Sequence, residues 1–160
     1  MDQTAIARLA AFLIEAKRRT YAGLDDDATV ATPIIAGSKQ LDYSDGELSY
    51  RDIYFGMAFF VGQEVVTDKR RAIWSMSYAG GVSPEITDRD KFLGVYAFLR
   101  KALLGIGEDQ PFRGPSHFEQ GSYRYVNTPE GGLLEFHGSE RIYLDGMPVY
   151  GLRYSGGIIR

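Results

Sequence analysis

One stretch of this chain is written twice. Trp74-Ser75-Met76-Ser77-Tyr78-Ala79-Gly80-Gly81-Val82 returns near the C-terminus as Tyr150-Gly151-Leu152-Arg153-Tyr154-Ser155-Gly156-Gly157-Ile158. Under a single ungapped shift, Phe60, Gly62 and Glu64 also fall on Phe136, Gly138 and Glu140, while Val66 and Ile73 meet Ile142 and Val149. Upstream, Ser49-Tyr50-Arg51 matches Ser122-Tyr123-Arg124, three residues out of that register, and Ala-Phe-Leu occurs at Ala11 and again at Ala97. Ordinary residue usage does not produce so much identity in so short a window. A duplicated chain folds as duplicated units, and that restricts the architecture.

The unit can be read from its periodicities. Ile6, Leu9, Ala10, Leu13 and Ala16 recur at helical spacing, which predicts a helix from Thr4 to Arg19 with Thr4 as N-cap and Gly23 just beyond its end. A second helix is expected from Thr87 or Asp88, where Thr87-Asp88-Arg89-Asp90 suggests a capping box. Phe92, Val95, Tyr96, Leu99 and Leu103 form its apolar face, and Gly105 stops it. Strands are predicted over 48–55, 58–67 and 72–79, then over 122–127, 133–144 and 147–155, with Asp45-Gly46 and Asp145-Gly146 as hairpin signals. The expected fold is α+β: a single domain of residues 1–160, built from two copies of helix-plus-three-strands at about 4–82 and 87–158. A mainly antiparallel sheet would carry the two main helices on one face around a pseudo-twofold axis. In the repeated strand Trp74, Met76 and Tyr78 alternate with small residues, as do Tyr150, Leu152 and Tyr154, so the bulky faces point at the helices or at a cavity between the copies.

Composition narrows the function classes. A net charge of -3 and a pI near 5.4 argue against a nucleic-acid backbone binder, which needs a basic face. With no cysteine, disulfides, thiol catalysis and thiolate metal sites are excluded, and a reducing cytoplasm is the expected location. The N-terminus does not read as a signal peptide and no run is long enough to cross a membrane. No metal site or cofactor motif emerges. Asp25-Asp26-Asp27 lacks the glycine and downstream glutamate of a calcium loop and reads as a solvated turn. Gly105-Ile106-Gly107 follows a helix rather than a strand and is no dinucleotide fingerprint.

The candidate site rests on Glu64 and Glu140. Each sits on an apolar stripe, Phe60-Gly62-Glu64-Val66 and Phe136-Gly138-Glu140-Ile142, where a carboxylate is costly unless paired or hydrogen-bonded. Two arrangements are open. Both glutamates face a shared cleft near the axis, with room left by the glycines, or a bulge at each glycine turns them outward toward Arg51 and Arg124. Trp74, Tyr78, Tyr150 and Tyr154 would supply aromatic walls. The Gly80-Gly81 and Gly156-Gly157 pairs read as chain turns, with anion binding as the alternative. The long connection from Gly105 to Gly121 adds Arg113 and His117 as secondary candidates.

The segments Phe12-Leu13-Ile14-Glu15-Ala16-Lys17-Arg18-Arg19, Leu41-Asp42-Tyr43-Ser44-Asp45-Gly46, Phe60-Val61-Gly62-Gln63-Glu64, Ile73-Trp74-Ser75-Met76 and Pro111-Phe112-Arg113-Gly114-Pro115 carry a resemblance across nearly the whole chain. It is similar to an uncharacterised bacterial domain family, a domain of unknown function found alone or behind a Xre-type helix-turn-helix. That resemblance brings no catalytic residues, and without such a module before the first helix it implies no direct nucleic-acid binding. The duplicated unit also resembles, more loosely, the repeat of the GyrI-like effector-binding domains, a circular shift away. Those domains hold small molecules in a groove between two copies, commonly with a glutamate and aromatics; the likeness is one of fold.

Three functions follow as expectations. The first is a small-molecule-binding or sensor module with an aromatic groove containing Glu64 or Glu140. The second is a hydrolase or isomerase using one glutamate as general base. The third is an interaction module that forms a homodimer through a sheet edge.

Overall fold

The computed structural model describes residues 2–23 and 32–160; the Asp25-Asp26-Asp27 run lies outside them. Helix α1 (Gln3–Arg19) is capped by Asp2 rather than Thr4, its side chain accepting the Ala5 N–H at 2.8 Å. Helix α2 (Arg89–Leu103) is capped the same way by Asp88, which accepts from the Lys91 N–H at 2.8 Å. A carboxylate at these positions satisfies an orphan donor and meets the positive end of the helix dipole. Both helices bury one stripe, Leu9, Phe12, Leu13, Ala16 and Lys17 in α1, and Val95, Phe98, Leu99, Ala102 and Leu103 in α2. Position for position, a lysine stands in α1 where α2 has a leucine. No helix among the described residues is long and apolar enough to cross a membrane.

Each helix is followed by a four-stranded meander: β1 (Lys39–Asp45), β2 (Leu48–Gly56), β3 (Phe59–Asp68) and β4 (Arg71–Val82), then β5 (His117–Gln120), β6 (Tyr123–Gly132), β7 (Glu135–Leu144) and β8 (Met147–Ile158). They form one antiparallel sheet in the order β1-β2-β3-β4-β8-β7-β6-β5. The expected unit is thus one strand short in each half. Strand β1 sets only Leu41 and Tyr43 among polar residues and β5 has four residues, so neither carries the alternation that announces a strand.

The halves meet at the central pair, where Tyr78 lies opposite Tyr154 and Trp74 opposite Ile158. Registers repeat on either side. Glu64 faces Met76 and Glu140 faces Leu152, and a register irregularity falls at Val66/Thr67 in one half and at Ile142/Tyr143 in the other. In the next strand pairs Tyr50 lies opposite Val66 and Tyr125 opposite Ile142, which matches Tyr50 with Tyr125 and Asp52 with Asn127. The Ser-Tyr-Arg match is therefore misleading. Arg51 sits opposite Val65 but Arg124 opposite Tyr143, so the two arginines are not counterparts.

The Gly-Gly pairs do not turn the chain. Strands β4 and β8 run on through them to Val82 and Ile158. A side chain on Gly80 would collide with the Gly151 carbonyl, and one on Gly156 with the Ser75 carbonyl. These glycines let the two central strands lie close. The bulky faces of both strands, including Trp74, Met76, Leu152 and Tyr154, pack with the helix stripes into one core.

Candidate functional site

Strand alternation places Tyr50, Asp52 and Tyr54 of β2 on the helix side of the sheet, and Phe60 and Glu64 of β3 and Tyr78 of β4 join them. They floor a cavity of about 290 Å³. Lys17 of α1, Tyr21 and Ala22 just after it, and Phe92, Leu93 and Tyr96 of α2 form the walls, and Arg113 closes one side. Phe60 meets Tyr78 edge-on at 5.9 Å and lies 6.3 Å from Tyr96, which in turn meets Phe92 at 5.1 Å. The Tyr96 hydroxyl donates to the Met57 carbonyl at 2.6 Å and pins this wall to the turn before β3. The lining is mostly apolar and aromatic, with Asp52 and Glu64 on the floor and Lys17 and Arg113 at the sides.

Glu64 is 3% exposed and forms an ion pair with Lys17. The outward arrangement, with Arg51 as its partner, does not occur. The strand register is continuous through Gly62 and Gly138, so no bulge precedes either glutamate and both keep the inward parity. Gly62 is required for another reason: a methyl group there would overlap the Tyr78 hydroxyl. Arg51 instead forms a bidentate pair with Asp42, at 2.9 and 3.0 Å, while Arg124 lies over the Tyr143 ring. Burial pulls the Lys17 ammonium below its ordinary pKa, against the attraction of Glu64.

Asp52 is the residue that sequence reasoning missed. It is 5% exposed and its Oδ1 accepts the Tyr78 hydroxyl at 2.6 Å. No hydrogen bond from the described residues reaches its Oδ2. Burial, reinforced by the Glu64 charge, pushes the Asp52 carboxyl up to about 7. Tyr78 is driven well above its usual range by burial and by Asp52 itself. One signal was available: an acid on the bulky face of Leu48-Tyr50-Asp52-Tyr54. Lys17, on the apolar stripe of α1, was the second.

Glu140 does not share this cavity, so the expected single cleft holding both glutamates is not formed. It is fully buried, held by Arg113 at 2.9 and 2.5 Å and by the Tyr125 and Tyr150 hydroxyls at 2.7 and 2.9 Å. Burial pushes the Glu140 carboxyl up, but the Arg113 charge and these hydrogen bonds outweigh it and leave it below the ordinary value. The Phe112 ring stacks on Phe136 with centroids 4.0 Å apart, and Asn127 accepts the Tyr154 hydroxyl at 2.7 Å while donating to the Gly114 carbonyl at 3.0 Å. The connection between α2 and β5 thus fills the second half from within. Of the aromatic candidates, Tyr78 lines the cavity, whereas Trp74, Tyr150 and Tyr154 are core residues away from it. Arg113 touches both halves. His117 lies on the exposed edge strand beside Glu119, outside the cavity.

The profile of a family described as "Domain of unknown function (DUF5680)" matches residues 52–159. No curated protein and no solved structure matches the chain.

Proposed function

The chain belongs to that DUF5680 family, and from its own site we propose that it is a small-molecule-binding or sensor module, built from two related halves, with the ligand held between the strands of the first and helix α2 of the second. One observation carries this reading: an aromatic-walled cavity of about 290 Å³ whose floor bears a buried acid with an oxygen that no hydrogen bond from the described residues reaches. Ligand sites are typically concave and apolar with a few polar groups that orient the guest. The matched registers and hydrogen bonds of the two halves support their common origin, and the cavity draws its floor from the strands of the first half and much of its wall from α2 and the connection after it in the second. Cytoplasmic residence, a bacterial source and kinship with effector-binding domains belong to the same proposal; the absence of cysteine favours the first.

The enzyme alternative retains one supporting observation. A carboxyl that titrates near neutrality beside a second carboxylate is suited to general acid–base work. The residue that would carry it is Asp52, with Glu64 as the neighbouring charge.

Titration calorimetry with indole, a neutral aromatic probe, tests the binding reading. Indole should bind the wild-type protein, bind His117→Ala equally well, and bind Leu93→Trp more weakly because the new ring narrows the cavity mouth. Binding that ignores Leu93→Trp, or no binding up to the solubility limit, would contradict it.

A further inference from the structure

The strands of the second half carry, as part of the molecule's own chain, a pattern for what the cavity over the strands of the first would bind. Opposite each other across β2 and β3 stand Asp52 and Glu64; across β6 and β7 stand Asn127 and Glu140. Tyr78 donates to Asp52 at 2.6 Å as Tyr154 donates to Asn127 at 2.7 Å. Phe60 takes the sheet position of Phe136. In the second half these groups are covered by Phe112, stacked on Phe136, and by the Arg113 guanidinium, bound bidentately to Glu140. The occupant is an aromatic ring followed by a cation.

In the first half Lys17 already neutralises Glu64, so the acid left over is Asp52, which replaces the neutral Asn127. We propose that the cavity binds an organic cation bearing an aromatic ring, an arylalkylamine or amidine, with its nitrogen on Asp52 Oδ2 and its ring against Phe60 and Tyr96. This rests on the binding reading above and assigns its ligand class.

The charges around Asp52 fit this assignment. On β3, Glu64 is paired with Lys17 of α1, and Arg113 is committed to Glu140. Tyr78 donates from β4, and Tyr50 and Tyr54 flank Asp52 on its own strand. Lys39 of β1 lies over the Tyr54 ring at 5.7 Å, and Arg100 of α2 acts on Tyr21 and Tyr54. With Lys17–Glu64 and Arg113–Glu140 each close to neutral, ionised Asp52 is the acid on the floor without an ion-pair partner among the described residues, and Lys39 lies against the Tyr54 ring. A buried carboxylate held by one neutral hydrogen bond and no cation is costly, and an arriving cation lowers that cost.

Three probes of one size test the proposal on the full chain: 2-phenylethylamine, 2-phenylethanol and phenylacetate. Calorimetry should show the amine binding about tenfold or more tightly than the alcohol at pH 8, as a charge-assisted hydrogen bond implies, and phenylacetate weakest. Because burial holds the Asp52 carboxyl near 7, amine affinity should rise as pH increases from about 5.5 to 8.5 while alcohol affinity stays level. Asp52→Asn, which installs the amide already present at Asn127, should keep alcohol and indole binding and abolish the preference for the amine. Tightest binding of phenylacetate, or equal binding of amine and alcohol, would overturn the cation assignment and leave the pocket reading standing. An amine preference that survives Asp52→Asn would overturn it too. Failure of all three probes and of indole would remove both readings.

Discussion

Tyr78 and Tyr154 face each other across the central strand pair, and each sends its hydroxyl outward across one strand, to Asp52 in one half and to Asn127 in the other. The geometry is shared; the acceptor differs by one charge. Removing the hydroxyl therefore has different consequences in the two halves. Tyr154→Phe leaves the buried Asn127 oxygen unsatisfied and should cost about 1–3 kcal/mol on chemical denaturation. Tyr78→Phe removes the hydrogen bond that holds Asp52 down, so the Asp52 carboxyl should titrate still higher, as followed by carbon-13 NMR.

Glu140 and Arg113 make the opposite case from Asp52. Glu140 sits below the ordinary carboxylate range because Arg113 and two tyrosines hold it ionised against burial. Its stabilising contribution is present at neutral pH and lost as pH falls through that depressed value. Glu140→Gln would leave a buried guanidinium uncompensated and should destabilise by about 3–5 kcal/mol at pH 7. Denaturation of the variant and the wild type at pH 7 measures this directly.

Asp52 reverses the sign. Its folded pKa, near 7, stands above the unfolded value, so its contribution is fully present below about pH 4 and is lost as pH rises toward 7. Relative to the wild type, Asp52→Asn should gain a few kcal/mol across that window and then level off. Parallel melts at pH 4, 6 and 8 test this; a difference independent of pH would mean that Asp52 is solvated or paired.

Much of this was legible in the chain. The recurring sequence pattern announced the central pair, because Trp74-Met76-Tyr78 and Tyr150-Leu152-Tyr154 carry an alternation that fits a half-buried strand. The same signal could not separate a cavity wall from a core. Trp74 and Tyr78 alternate identically, yet Trp74 is buried against Phe136 at 5.9 Å, and only Tyr78 reaches the cavity. What decides between them is the α2–β5 connection, whose Phe112 and Arg113 fill one half. A loop's destination is a tertiary fact with no periodicity to betray it. Asp52 was hidden for a related reason: its counterpart is an asparagine, so matching identities passed over the position where the halves differ in charge.

The central claim is that the cavity over the strands of the first half takes the ligand, while the matching place over the strands of the second is filled by the chain itself. A crystal structure of the protein soaked with indole tests it most directly. The account predicts density against Phe60 and Tyr96, above Asp52, with Phe112 still stacked on Phe136. Density in place of Phe112 over Phe136, or on the sheet face away from the helices, would contradict it.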